Sequence, residues 1–208
     1  FGCGKAYLTF ILYYYLTYVR KIKATMIGLD LKADVIADCS AAAEKYGYSD
    51  LHFVVADVTR DVLYSEHIDM LVTLHACDTA TDYALYNAVK WGSRVILSVP
   101  CCQHELNAQI KSDEFSMLTK YGIIKERFAA LATDALRASL LEHEGYKTQV
   151  LEFVDLSHTP KNLLIRAVKT NISAKKKQRS LNEAKSFMRS FNADPTLYKL
   201  LIGDDKDN

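Results

Sequence analysis

The segment Gly2-Cys3-Gly4-Lys5-Ala6 places two glycines one residue apart at the start of a helical stretch. Glycines at that spacing let the backbone approach a ligand, and the helix start behind them presents N–H groups with no partner inside the helix. A tight strand-to-helix turn has the same composition, and the third glycine of a dinucleotide fingerprint is absent. Two aspartates add meaning to the turn. Asp30 closes the next apolar run and Asp57 the one after it. A carboxylate in the first place accepts hydrogen bonds from ribose hydroxyls, and one in the second can accept from an exocyclic adenine amine. Either aspartate alone is equally a helix cap. In the order Gly2 and Gly4, Asp30, Asp57 they mark a candidate adenosine site.

A second group lies in Leu74-His75-Ala76-Cys77-Asp78 and Pro100-Cys101-Cys102-Gln103-His104, each following an apolar run. In doubly wound sheets ligands bind outside the carboxyl ends of the strands, so His75, Asp78, Cys101, Cys102 and His104 can share one rim. Three chemistries compete there. A zinc site draws on thiolates and imidazoles, but adjacent cysteines ligate one tetrahedral ion poorly and no CxxC spacing exists. A cysteine nucleophile beside His104 needs a lowered thiol pKa, which nothing in the sequence marks. In the third reading the cysteines shape a pocket while His75 or Asp78 orients or deprotonates an acceptor. That reading is preferred, and no metal is expected.

The elements that must position these residues alternate. Residues 5 to 20 place Leu8, Ile11, Leu12, Tyr15, Leu16 and Val19 on one helical face, predicted to be buried. Strands are predicted at Thr25 to Leu29, Leu51 to Ala56, Ile68 to Leu74 and Arg94 to Val99. Helices are predicted at Asp34 to Tyr46, Thr79 to Lys90 and Arg127 to His143, with an amphipathic insert from Cys101 to about Glu126. Thr148 to Val154 and Leu163 to Val168 have no helix between them, so they should pair antiparallel. The pattern is α/β: a doubly wound, Rossmann-like sheet, mostly parallel, ending in an antiparallel hairpin. A glycine turn of this kind follows a strand, so a first, central strand is expected upstream of Phe1. Residues 1–170 read as the catalytic domain, and 171–208 as a basic linker (Lys175, Lys176, Lys177, Arg179) with a C-terminal helix.

Composition narrows the classes. Half of the 208 residues are apolar, a quarter are charged and only 3 are proline, which excludes a disordered or collagen-like chain. The net charge of +1 argues neither for nor against a polyanionic partner. Five cysteines, two of them adjacent, make a poor disulfide framework and favour a reducing cytoplasm. Ala6 to Val19 is shorter than the about 20 residues a membrane span needs, so no membrane partner is expected.

Phe-Gly-Cys-Gly-Lys (1 to 5), Gly-Leu-Asp-Leu-Lys (28 to 32), Thr-Leu-His-Ala-Cys-Asp-Thr-Ala-Thr-Asp (73 to 82), Val-Pro-Cys-Cys-Gln-His-Glu (99 to 105) and His-Thr-Pro-Lys-Asn (158 to 162) together resemble a bacterial family of class I S-adenosylmethionine-dependent methyltransferases. The middle segments are more distantly similar to eukaryotic 2′-O-methyltransferases of the tRNA acceptor stem, which carry glycine where this chain has Asp78. The resemblance implies S-adenosylmethionine as cofactor and RNA as the favoured acceptor. It implies that Gly2 and Gly4 flank the methionine part of the cofactor, that Asp30 holds the ribose and that Asp57 lies near the adenine. His75 is then expected beside the transferable methyl and, with Asp78, to be the candidate acid–base pair. Pro100, Cys101 and His104 are expected on the acceptor side. A nicotinamide-dependent oxidoreductase and a catalytically silent adenosine- or RNA-binding module are the alternatives.

Overall fold

Short aliphatic runs form strands and the longer periodic runs between them form helices, in the predicted order. The computed structural model describes residues 1–57, 67–155, 157–159 and 162–203. They divide into two compact units, one within Phe1–Leu63 and one within Tyr64–Asn208.

The first unit contains α1 (Tyr7–Tyr14), β1 (Met26–Asp30), α2 (Ala33–Lys45) and β2 (Leu51–Val55). Strands β1 and β2 are parallel, in register from Met26↔Leu51 to Asp30↔Val55. Helix α1 runs on through a wider turn over Tyr15–Val19, closed by Arg20 N–H donating to Tyr15 O at 2.8 Å. The buried face of α1 differs from the predicted one. Ile11 and Val19 are 65% and 55% exposed, whereas Tyr13 is buried with Ala43 and Leu51, packed by Phe10, Tyr48 and Phe53. The helix is apolar around most of its circumference, so periodicity could not choose a side. Aromatic contacts chose it: the Phe10 ring centroid lies 5.5 Å from Phe53, and Tyr13 lies 4.9 Å from Tyr48.

The second unit holds β3 (Met70–Leu74), α3 (Thr79–Lys90), β4 (Val95–Val99), α4 (His104–Gln109), α5 (Ser116–Thr119), α6 (Gly122–His143), β5 (Tyr146–Glu152), β6 (Leu163–Lys169), α7 (Ala174–Phe191) and α8 (Thr196–Ile202). Its sheet has the order β3-β4-β6-β5, with β3 parallel to β4 and β6 antiparallel to both β4 and β5. The predicted antiparallel ending is present. The strands of the expected mostly parallel α/β layout form two hydrogen-bonded sets among the described residues, β1-β2 and β3-β4-β6-β5.

The segment expected to be a basic linker is helical. The Ser173 side chain accepts from Lys176 N–H at 3.3 Å and caps α7, which puts Lys175, Lys176, Lys177 and Arg179 in its first turns. Leu181, Ala184 and Phe191 of α7 are buried, and Phe191 lies 5.0 Å from Phe128 of α6, ring to ring. No helix among the described residues is long and apolar enough to cross a membrane.

One buried cation crosses this core. Arg137 of α6 donates from Nε to Asp82 Oδ1 at 2.8 Å, from Nη2 to Asp82 Oδ2 at 3.2 Å and from Nη1 to Asp134 Oδ1 at 3.1 Å. Its side chain is 2% exposed and Asp82 only 5%. Removing the guanidinium leaves two carboxylates buried without their cation, which costs about 3–5 kcal/mol. Arg137→Met should therefore lower the urea midpoint sharply, whereas Arg179→Ala, which breaks the exposed pair with Glu183, should barely move it. A midpoint unchanged in Arg137→Met would show that the core does not rest on this pair.

Candidate functional site

The glycine turn of the first unit has the backbone its sequence requires. Gly2 and Gly4 have φ of 67° and 50°, and a Cβ on either would meet nothing within 4 Å. Conformation, not crowding, demands glycine there. Two bonds pin the turn to the end of β1. Cys3 N–H donates to Leu29 O at 2.9 Å, and Gly4 N–H donates to Asp30 Oδ2 at 2.8 Å. Asp30 Oδ1 accepts from Lys32 N–H at 3.1 Å. An ionised carboxylate offers about four acceptor positions, so Asp30 can hold the turn and still receive a vicinal diol. Ala56 N–H donates to Asp30 O at 2.9 Å, which brings the half-buried Asp57 off the sheet at the same end. The structure thus gathers Gly4, Asp30 and the Asp57 loop. Burial pushes the Cys3 thiol up to about 11, which removes it as a nucleophile near neutral pH.

In the second unit the predicted neighbouring of two strands is realised. Leu74 of β3 pairs with Val99 of β4, and His75 N–H extends the ladder by donating to Val99 O at 2.9 Å. His75 and Pro100 therefore leave the sheet side by side. The His75 ring is exposed and makes no hydrogen bond among the described residues, Pro100 is buried, Cys101 is half-buried, and His104 stands exposed at the start of α4. Burial, then the adjacent Cys102 and Cys77 thiols, push the Cys101 thiol up to about 12. A nucleophilic cysteine would need the opposite shift.

Asp78 does something the sequence did not suggest. Its Oδ1 accepts from Glu105 N–H, in the first turn of α4, at 3.1 Å. The carboxylate is engaged with that helix start rather than with His75. Glu105 in turn accepts from Thr196 Oγ1 at 2.6 Å and from Thr196 N–H, at the start of α8. Asp78 thus ties the loop after β3 to the insert, and Glu105 ties the insert to the C-terminal helix.

The loop is held from beneath by residues that sequence reasoning passed over. Arg137 Nη2 donates to Asp78 O at 2.9 Å, and Thr81 Oγ1 donates to Ala76 O at 2.5 Å. Gln103 Nε2 reaches Asp134 Oδ2 at 3.4 Å, so the same ionic centre also touches the loop after β4. One signal could have found it. Asp82 shares the buried face of α3 with Leu85, a core position where an acid requires a partner. Of the remaining motif, Ser157 N–H donates to Asp155 Oδ1 and Asn162 Nδ2 to Val154 O, while Pro160 and Lys161 lie outside the described residues. In the basic cluster, Lys176 and Arg179 are paired with Glu142 and Glu183.

A methyltransferase-domain family profile matches residues 1–109. Solved structures similar to this chain include the YcgJ protein from Bacillus subtilis, at 9% identity and a TM-score of 0.48 over 82% of this chain and 90% of that one. The PH0226 protein from Pyrococcus horikoshii OT3 is similar at 13% identity and a TM-score of 0.46 over 81% and 79%. The plantazolicin methyltransferase BpumL, solved in complex with a pentazolic desmethylPZN analog and SAH, is similar at 13% identity and a TM-score of 0.48 over 81% and 75%. No curated protein matches the sequence.

The backbone at Asp78, φ 51° and ψ −123°, is a turn conformation that glycine adopts freely and other residues resist. Asp78→Gly and Asp78→Ala both lose the bond to Glu105 N–H, but only the glycine relieves the strain. Asp78→Gly should unfold at higher urea than Asp78→Ala, by a difference of about 1 kcal/mol. Equal midpoints would mean that the loop relaxes and stores no strain.

Proposed function

Because the chain belongs to a methyltransferase domain family, we propose that it transfers a methyl group from S-adenosylmethionine to an RNA acceptor. The observation that carries the cofactor half is the Gly4 N–H bond to Asp30, which ties a turn of left-handed glycines to a carboxylate with acceptor capacity left over. Gly2 and Gly4 would admit the amino-acid part of the cofactor, Asp30 would accept its ribose hydroxyls, and Asp57 would face its adenine. Bound cofactor supplies a methyl group already activated on a sulfonium. What the protein adds is alignment, worth several orders of magnitude when donor and acceptor atoms meet in a near-attack geometry.

Where the acceptor must lose a proton, His75 is the residue to take it. Its ring is exposed and no bond within the described residues occupies it, and its backbone is anchored to β4. Asp78 acts as a positioning residue through Glu105. Pro100, Cys101 and His104, at the matching end of β4, are assigned to acceptor contact. The RNA assignment rests on the resemblance, read from the sequence alone, of residues 73 to 82 and 99 to 105 to enzymes that modify tRNA. The five cysteines are free, which fits a cytoplasmic protein.

Labelled S-adenosylmethionine with cell extract should place label in the RNA fraction. Label confined to protein or small molecules would sink the acceptor assignment, and no label at all would leave a binding module. Asp30→Ala should weaken S-adenosylhomocysteine binding at least about tenfold, the equivalent of about 1.4 kcal/mol, in calorimetry. Asp30→Asn, which keeps an acceptor for Gly4 N–H, should weaken it less; full affinity in both variants removes Asp30 from the site. His75→Ala should cut turnover about 10²-fold with cofactor affinity unchanged, and an unchanged rate would show that no proton passes through His75.

A further inference from the structure

We propose that Cys77, Cys101 and Cys102 form a three-thiolate binding site for a thiophilic divalent cation of the zinc type. The sulfur atoms converge. Cys77 Sγ lies 3.5 Å from Cys101 Sγ, Cys101 Sγ lies 3.5 Å from Cys102 Sγ, and all three fall within 4.8 Å of one another. Tetrahedral zinc with Zn–S bonds of about 2.3 Å holds its sulfurs ~3.8 Å apart. The observed spacings therefore need adjustments of only a few tenths of an ångström on the two measured edges. The expectation that adjacent cysteines cannot serve one ion holds for an extended chain, where successive side chains point to opposite faces. Here β4 has ended at Val99, and the Cys101 and Cys102 sulfurs lie 3.5 Å apart.

The scaffold suits a metal better than a disulfide. A disulfide would use two of the three convergent thiols and strand the third. The loops that carry the ligands are also fixed independently. Arg137 and Thr81 hold residues 76 to 78, Gln103 Nε2 reaches Asp134 next to Cys102, and Asp78 joins the two loops through Glu105. Prepaid positioning of this kind is what a high-affinity metal site needs. On binding, each thiol gives its proton to solvent, and the divalent ion and three thiolates carry a net charge of −1. Three protein ligands leave a fourth position for water or for a heteroatom of an acceptor, the arrangement of zinc sites that do chemistry.

Cobalt(II) titrated into the reduced, metal-stripped full chain is the test, because thiolate-to-cobalt charge transfer reports ligation without any methyl transfer. The expected result is a near-ultraviolet band saturating at about one ion per chain, bleached by zinc. Cys77→Ser and Cys101→Ser should each weaken binding about tenfold or more, while Cys39→Ser, in the other unit, should not. Zinc should also protect Cys77, Cys101 and Cys102 of the unmodified chain from alkylation, read by peptide mass spectrometry, so the result does not depend on the folding of the variants. Absence of the band, binding that survives Cys77→Ser, or alkylation of the three cysteines unchanged by zinc would overturn the site. None of these outcomes bears on S-adenosylmethionine binding, which calorimetry reads separately.

Discussion

Much of the second unit depends on where one guanidinium points. Arg137 sits in the core between α3 and α6 and spends its donors on Asp82, Asp134 and the carbonyl of Asp78. A single cation faces two carboxylates, so the cluster carries an excess of negative charge. Burial pushes the Asp82 carboxyl up, and Arg137 pulls it back. Gln103 supplies a neutral donor to the second oxygen of Asp134. The arrangement is costly to desolvate and is weak evidence for stability in itself. Its consequence is geometric: the forked donors fix two helices and the loop after β3 in one mutual position.

That loop needs fixing because it is strained. His75 and Asp78 both have positive φ, at 56° and 51°, without being glycine. Histidine tolerates the left-handed region comparatively well, but the conformation of Asp78 suits glycine. Aspartate in that place costs backbone energy and returns a carboxylate that receives the first turn of α4. The exchange links the loop to the insert and, through Glu105 and Thr196, to α8. A rim assembled from two loops and a helix start thereby acquires a definite shape, and three thiols are brought together within it.

The first unit follows a simpler logic. Parallel pairing of β1 and β2 sets Asp30 and the Asp57 loop at one end of the strands, and the glycine turn folds back onto that end through Cys3 and Gly4. The cradle is made almost entirely of backbone donors and one carboxylate. Glycine at positive φ and an acid at a strand end are local requirements that a sequence states directly.

The sequence by itself determined the order of the strands and of the helices between them, the neighbouring of β3 and β4, the antiparallel ending and the glycine turn. Each follows from periodicity, chain reversal or a backbone conformation that only certain residues accept, and all of these act over short stretches of chain. Tertiary structure decided the rest. It chose the face of α1, since an apolar circumference has no preferred side until Phe53 and Tyr48 arrive from elsewhere in the chain. It gave Asp78 to Glu105 instead of His75, a choice set by where α4 begins. It made Arg137 a core residue and brought Cys77 to Cys101. These are pairings between residues far apart in sequence, where side-chain type states what a group can bind but only the fold states what lies within reach.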